Sequence, residues 1–389
     1  MIIEIKGVEF ENKGAHLMLC AIIEQLKVRF PNAQIALSPN KKLDFVQCSS
    51  LGAWQKLALR KNIIDLNWIA YWLPKVIRRW LRAFGIVTEA DIDLILDASG
   101  FSYSDQWPSK IRIYHLKNEL TRFSKHEKPY IFMPQAFGPF SNLISIKRIA
   151  SSFPYAAMIN AREQYSYDNL KKIIGDQSNL RHYGDFTNLV EGILPSEDIY
   201  TDHVCIIPNK NMVSHRNKDN DWTKRYEPML IKAIAHYQKR GLRPIFLNHE
   251  GAEDRGLILS LNNQLDEPLE VIEENDPLVI KGIIASATAV FCSRYHGCIS
   301  ALSSGIPCIA TSWSHKYEAL YEEYGVSNLL LSADTNEPRL QRLIDESLGA
   351  DNRFRERLFK KVVTQKSNSL AMWDEIASIV INDYERQLQ

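Results

Sequence analysis

The sequence is poor in the groups that hold metals and dinucleotides. Its six cysteines, at 20, 48, 205, 292, 298 and 308, make no C-x-x-C pair and no metal-ligand spacing. Cys205, Cys292 and Cys308 fall in apolar, strand-like runs, where a reduced thiol behaves as a small hydrophobe, so a reducing, cytoplasmic compartment is expected. The turn after the first strand lacks the glycines of G-x-G-x-x-G, which removes the usual dinucleotide fingerprint. There is no G-x-S-x-G elbow for a serine nucleophile. No apolar run approaches the ~18 residues that a membrane span requires. Nor is either charge in excess: 47 Lys and Arg against 46 Asp and Glu leave +1 over 389 residues. No global field therefore favours nucleic acid or an acidic partner, and any electrostatic argument must be local. No internal repeat or low-complexity tract is present. Residues 1–6 read as a charged strand rather than a signal peptide.

What is present is the composition of a globular chain, 45% hydrophobic and 24% charged, long enough for two domains. Strand-like and helical runs alternate. Residues 1–7, 33–38, 92–96, 129–133, 155–160 and 180–183 predict strands with helices between them. The pattern resumes at 204–208, 243–248, 269–272, 289–292 and 308–311. Composition shifts at 191–202, where a linker is expected. The reading is α/β: two Rossmann-like domains facing a central cleft, the first over 1–195 and the second over 200–389, with C-terminal helices free to pack back on the first.

Residues 53–86 depart from this alternation. They hold Trp54, Trp68, Trp72 and Trp80 with seven Lys and Arg, and Asp65 is their only acid. The roughly helical spacing predicts a basic, Trp-rich helical insertion. It is either an ordinary insertion with a solvated charged face or an interfacial element in peripheral contact with the inner face of the membrane.

The most informative stretch is 289–310. It reads as strand, polar turn, helix, Gly305 stop and strand, with Ser293-Arg294-Tyr295-His296-Gly297 in the turn. Ligands of open α/β sheets bind beyond the carboxyl ends of the strands, and a helix N-terminus there favours an anion. Arg294 suits a phosphate or carboxylate. His296 suits proton transfer, and the N–H groups near Gly297 add donors. His315 and Lys316 follow the next strand and are candidates for phosphate, against a solvated helix start. His249 and Glu250 end the strand at 243–248. Asn12, Lys13 and His16 sit in the first turn of the other domain, where Asn12 could equally be a helix cap. Asp97, Asp105, Arg162, Glu163 and Asp185 lie at other strand ends, as candidate ligands or bases or as plain caps.

The Ser293–Gly297 turn with Gly305-Ile306-Pro307 and His315-Lys316 resembles the polysaccharide pyruvyl transferase family. Asn12-Lys13-Gly14-Ala15, Ser99-Gly100, Pro134-Gln135 with Gly138-Pro139, Ala161-Arg162-Glu163 with Ser166, and Gly184-Asp185 are similar to its other signatures, in the same order along residues 1–330. The chain departs from the family in Ala15-His16, where many members carry an acid, and in Ala98-Ser99-Gly100, where many have consecutive glycines. The resemblance implies a GT-B-like fold. It implies transfer of a pyruvyl group from phosphoenolpyruvate, a co-substrate rather than a cofactor, to a sugar diol of a polysaccharide or its lipid-linked precursor, giving a ketal and phosphate. On that implication Arg294, Gly297, His315 and Lys316 are donor-binding, and Arg294 and His296 catalytic. Asn12, Lys13, His16, Asp105, Arg162 and Asp185 are then acceptor-binding. No metal and no nucleic acid is called for. Two other readings stay open: a GT-B-type glycosyltransferase that uses a nucleotide sugar, with Glu318 or Glu322 on its ribose, and a non-catalytic glycan-binding or assembly protein.

Overall fold

The computed structural model describes residues 1–389 apart from 41, 106–110, 195–201, 216, 218, 313, 350, 351 and 389. The chain divides into two compact units. Unit 1 comprises Met1–Phe10, Met18–Phe186 and Asn368–Gln389, and unit 2 comprises Glu11–Leu17 and Thr187–Ser367. The division falls after Phe186, ahead of the linker expected at 191–202, most of which lies outside the described residues. It also assigns the short stretch from Glu11 to Leu17 to unit 2, so Asn12, Lys13 and His16 do not belong to the first domain as the sequence suggests.

Unit 1 opens with β1 (Ile2–Lys6), α1 (Lys13–Arg29) and β2 (Gln34–Leu37). A short helix α2 (Phe45–Ser50), β3 (Trp54–Lys56), the two-stranded hairpin β4 (Arg60–Lys61) and β5 (Ile64–Asp65), α3 (Lys75–Ala83) and β6 (Ile86–Val87) follow. Then come β7 (Leu94–Asp97), α4 (Ile111–Lys125), β8 (Tyr130–Gln135), α5 (Leu143–Ser152), β9 (Met158–Ala161), α6 (Gln164–Ile174) and β10 (Leu180–His182). Eight of these strands form one parallel sheet in the order β10-β9-β8-β7-β1-β2-β3-β6. Strands β7, β8 and β9 are buried along their whole length, as a parallel sheet demands.

The helical insertion expected at 53–86 is corrected by this topology. Its ends, β3 and β6, are sheet strands, and its middle holds a hairpin, a 3-10 turn over Asn67–Trp72 and the nine-residue α3. The sequence explains the break. Asn62 takes a positive φ of 50° at the hairpin turn, the β-branched pair Ile63-Ile64 favours extension, and Pro74 cannot continue a preceding helix.

Unit 2 contains β11 (His203–Ile207), α7 (Asp221–Lys239), β12 (Arg243–Asn248), α8 (Gly251–Asn262), β13 (Val271–Glu273) and α9 (Pro277–Ala285). It continues with β14 (Ala289–Cys292), α10 (Tyr295–Ser303), β15 (Cys308–Thr311), α11 (Lys316–Glu323), β16 (Leu330–Leu331), α12 (Glu337–Leu348) and the start of α13 (Asn352–Leu388). The strands run parallel in the order β13-β12-β11-β14-β15-β16 around a core of Val204, Ile206, Tyr226, Phe246, Phe291, Ile299 and Tyr321. In each unit the strand order reverses beside the first strand, between β1 and β7 in unit 1 and between β11 and β14 in unit 2. A doubly wound sheet opens a crevice at that switch point, and ligands bind there.

Candidate functional site

The unit 2 switch point is where β14 runs into α10. The backbone of Ser293, wholly buried, is pinned from several sides. Its carbonyl accepts from Asn209 Nδ2 and from the Tyr317 hydroxyl, both at 2.8 Å. Its hydroxyl accepts from Tyr226 at 2.7 Å and lies 2.7 Å from Thr311 Oγ1. Gly297 lets α10 press on the strand, since a Cβ there would lie 2.6 Å from Cys292 Sγ. Residues from the loop after β11 and from α7, β15 and α11 thus fix one turn of backbone. That rigidity is what a residue in the turn needs if it is to meet a ligand in one geometry.

Arg294 precedes α10 and turns its guanidinium towards carboxylates. Nε–H and Nη2–H donate to the two oxygens of Asp254, at 2.7 and 2.5 Å, and Nη1–H donates to Glu250. Asp254 is fully buried on α8 and also accepts from the Lys210 N–H at 2.9 Å. Burial pushes its carboxyl up to about 7, against the Lys210 N–H. The bidentate guanidinium favours the charged form further. Glu250 accepts in addition from Asn12 Nδ2 at 3.0 Å, and the Asn12 side-chain oxygen accepts from the Ala15 N–H at 3.1 Å ahead of α1. Glu250 therefore ties the start of α1 to Arg294. The sequence suggests Arg294 as an anion anchor; in the structure its guanidinium is engaged by two acids of its own unit. The signal missed in the sequence is the i, i+4 pair Glu250 and Asp254 around the start of α8.

The first turn of α1 lies against His296. A Cβ built on Gly14 would stand 2.1 Å from His296 Nδ1 and 2.7 Å from its Cε1 and Cγ. Only a residue without a side chain fits there, and the imidazole is stacked on backbone. Around it, Lys13 Nζ donates to the carbonyl and side-chain oxygens of Asn275, at 3.1 and 3.0 Å. Burial lowers the Lys13 ammonium, while Glu274 and Asp276 oppose that shift. Burial, then Lys13, lowers the imidazole of His16. His249 is buried at the end of β12, and burial pushes it down to about 3, with Arg294, His296 and Lys13 adding repulsion. His249 is accordingly a neutral imidazole at physiological pH. The arrangement joins one histidine held in place, one histidine held neutral, a lysine and the N-termini of α1 and α10. It suits an anion whose neighbouring atom exchanges a proton.

Lys316 joins the same turn through its neighbours: its ammonium lies 4.9 Å from the Tyr295 ring centre and 5.7 Å from that of Tyr317. His315 takes the position just before α11.

The residues suggested for an acceptor scatter. Asp105 accepts from the N–H groups of Ser141 and Asn142 and from the Ser145 hydroxyl, which makes it a clamp on the start of α5. Arg162 and Asp185 form a buried ion pair at 3.1 Å, with Glu163 beside them accepting from Ser166 at 2.7 Å. Asp97 is wholly buried and accepts from the hydroxyls of Tyr103 and Tyr130, both at 2.6 Å.

Unit 1 has instead a cavity of about 160 Å³ at its own switch point, lined by Glu4, Lys6, Lys56, Arg60, Arg112 and Glu119 among others. Lys56 pairs with Glu4 and Lys6 with Glu119, each at 2.6 Å. Burial opposes the charge of Glu119, yet Lys6, Arg60 and Lys56 hold its carboxyl well below the usual range. Gly7 closes the turn beside the cavity: its φ is 78°, and a Cβ there would lie 2.3 Å from Ser99 Cα. Lys56 and Arg60 stand out in the sequence only as part of the basic segment at 53–86, and Glu4 and Lys6 lie inside a strand where alternation gives no hint of a ligand.

Comparison with known proteins agrees with this architecture. Among solved structures, UDP-GlcNAc 2-epimerase from Neisseria meningitidis superposes with a TM-score of 0.58 at 10% identity, covering 97% of this chain and 99% of that one. The UDP-GlcNAc 2-epimerase of Methanocaldococcus jannaschii gives 0.54 at 12% identity, covering 93% and 99%. A glycosyltransferase from Rickettsia africae gives 0.57 at 11% identity, covering 98% of each. At such identities the likeness concerns the fold, which is the GT-B arrangement of two Rossmann-like domains. No curated protein matches the chain. The family model of polysaccharide pyruvyl transferase matches residues 12–315, from the turn that meets His296 through the Arg294 turn to His315, and the chain belongs to that family.

Proposed function

We propose that the protein transfers the pyruvyl group of phosphoenolpyruvate to two hydroxyls of a sugar in a polysaccharide or its precursor. The product is a cyclic ketal, and phosphate is released. The observation that carries the reading is the seating of His296 on the first turn of α1, at the unit 2 switch point and beside a lysine. Phosphoenolpyruvate brings a phosphate, a carboxylate and an enol carbon that must be protonated. Lys13, the positive N-terminal ends of the α1 and α10 dipoles, and Lys316 supply the positive potential for the two anionic groups. Arg294 acts through its carboxylates: it holds Glu250, and so Asn12 and the start of α1, in register with His296.

Proton balance then defines the roles. The methylene carbon gains one proton to become methyl, which His296 delivers. One sugar hydroxyl adds to the resulting cationic carbon and loses its proton. Phosphate leaves with a proton, and the second hydroxyl closes the ring as it loses its own. Two protons leave the sugar; one replaces the proton given to carbon and one departs on phosphate. Proton transfer of this kind typically contributes ~10²–10⁴-fold.

The test is incubation with labelled phosphoenolpyruvate and candidate glycans. Sugar-dependent phosphate release with label in the glycan supports the reading. Release of nucleotide from a sugar nucleotide instead would make the protein a glycosyltransferase. Binding of glycan with no turnover of either donor would make it a binding protein. His296→Ala is expected to lose turnover while keeping donor affinity.

A further inference from the structure

Neither site uses the surface between the hairpin and α3 in unit 1, and that surface is unusual. Large apolar side chains on a folded domain are mostly covered, and contiguous exposed groups of them mark a binding face. Here Trp68, Trp72, Val76, Trp80 and Phe84 are all exposed, Trp72 to 80%. Val76 and Trp80, four residues apart, share one face of α3, and Phe84 just past its end packs edge-on against Trp80 at 4.9 Å.

The segment is tied down from its polar side. Arg78 and Arg82 reach the buried Asp91 at 2.9 and 2.7 Å, and no residue of α3 is buried. In the 3-10 turn before it, Asn67 and Ala70 are buried and Tyr71 stacks on His126 at 3.8 Å, leaving Trp68 and Trp72 exposed. This inverts an ordinary surface helix, which buries its apolar stripe. The fold holds the apolar stripe outward.

Charge identifies the occupant. Lys61, Lys75 and Arg79 are exposed on the same segment. The nearby acids are spent elsewhere: Asp65 and Glu89 on Arg122, and Asp91 on Arg78 and Arg82. Indole rings settle at the headgroup level of a bilayer, and cations beside them meet anionic lipid. We infer that this face docks unit 1 on an anionic lipid surface, with the Trp and aliphatic side chains entering the headgroup layer and Lys75 and Arg79 on lipid phosphates. Lipid binding of this kind is independent of the pyruvyl transfer proposed above and is read without turnover.

The test is flotation of the full chain with vesicles of phosphatidylglycerol and, separately, of phosphatidylcholine. The protein should float with the anionic vesicles, less so with the zwitterionic ones, and less as salt rises. At about fivefold in partition per cation, the usual contribution near a charged surface, K75A/R79A should weaken binding roughly 30-fold. W72S/W80S should abolish flotation with no loss of thermal stability, because both rings are exposed. Failure of the wild type to float with phosphatidylglycerol would overturn the inference, as would W72S/W80S floating like the wild type. If sedimentation instead shows a dimer that W72S/W80S dissociates, without vesicle binding, the face belongs to a second copy of the chain and the lipid assignment is wrong.

Discussion

Replacing Gly14 by Ala adds one methyl group where the structure leaves no room. The new carbon would sit 2.1 Å from His296 Nδ1, and ordinary van der Waals contact begins at 3.4 Å. The ring must therefore retreat by about 1.3 Å, or α1 must shift. The backbone at Gly14 is helical, so Ala gains up to about 1 kcal/mol of helix propensity, while overpacking costs about 1–3 kcal/mol. Net stability should change by no more than about 2 kcal/mol. Turnover is different: a displacement of about 1 Å at a reacting group can cost ~10²-fold. Gly14→Ala should thus fold, bind phosphoenolpyruvate and lose about 10²-fold in kcat. His296→Ala removes the obstacle, so adding Gly14→Ala to it should cost little more in kcat and should recover stability. The assay is sugar-dependent phosphate release beside thermal unfolding, for both single variants and the double. Full turnover in Gly14→Ala would refute the role of the seated imidazole.

Three other perturbations follow from the same geometry. Arg294→Ala strips a fully buried Asp254 of its bidentate partner, which should cost about 3–5 kcal/mol in chemical unfolding; Arg294→Ala with Asp254→Asn should recover much of it, and no recovery would mean that the pair is not what Arg294 stabilises. His249 has its folded pKa near 3 against 6.5 unfolded, so the unfolded state binds the extra proton between those values and stability falls as pH falls through that window. Between pH 6.5 and 5 the loss should be roughly 1.5–2 kcal/mol, and His249→Gln should flatten that slope in pH-dependent unfolding. Lys56→Met leaves Glu4 buried without its partner and should destabilise unit 1 by about 3–5 kcal/mol, whereas Lys56→Met with Glu4→Gln should be close to neutral.

The Arg294 turn was legible because local chemistry writes it: an apolar strand, a polar turn, small helix residues and Gly305 occur in one continuous stretch. The strand and helix alternation was legible for the same reason, since buried parallel strands are apolar throughout. Other features depend on partners distant in sequence. That Asn12, Lys13 and His16 belong with unit 2 follows from Asn12 meeting Glu250, and no local pattern encodes a contact across 238 positions. The role of Glu250 and Asp254 as the seat of Arg294 was hidden for the same reason. The basic Trp segment misled on secondary structure because its aromatic spacing imitates a helix, while Asn62 and Pro74 divide it.

The central claim is chemical, and one measurement addresses it most directly: phosphate release from phosphoenolpyruvate in the presence and absence of a glycan acceptor, with the wild type and His296→Ala side by side. The account predicts release that needs the glycan, label retained in the glycan as a ketal, and loss of both in His296→Ala. Release that ignores the glycan, or turnover that survives His296→Ala, would contradict it.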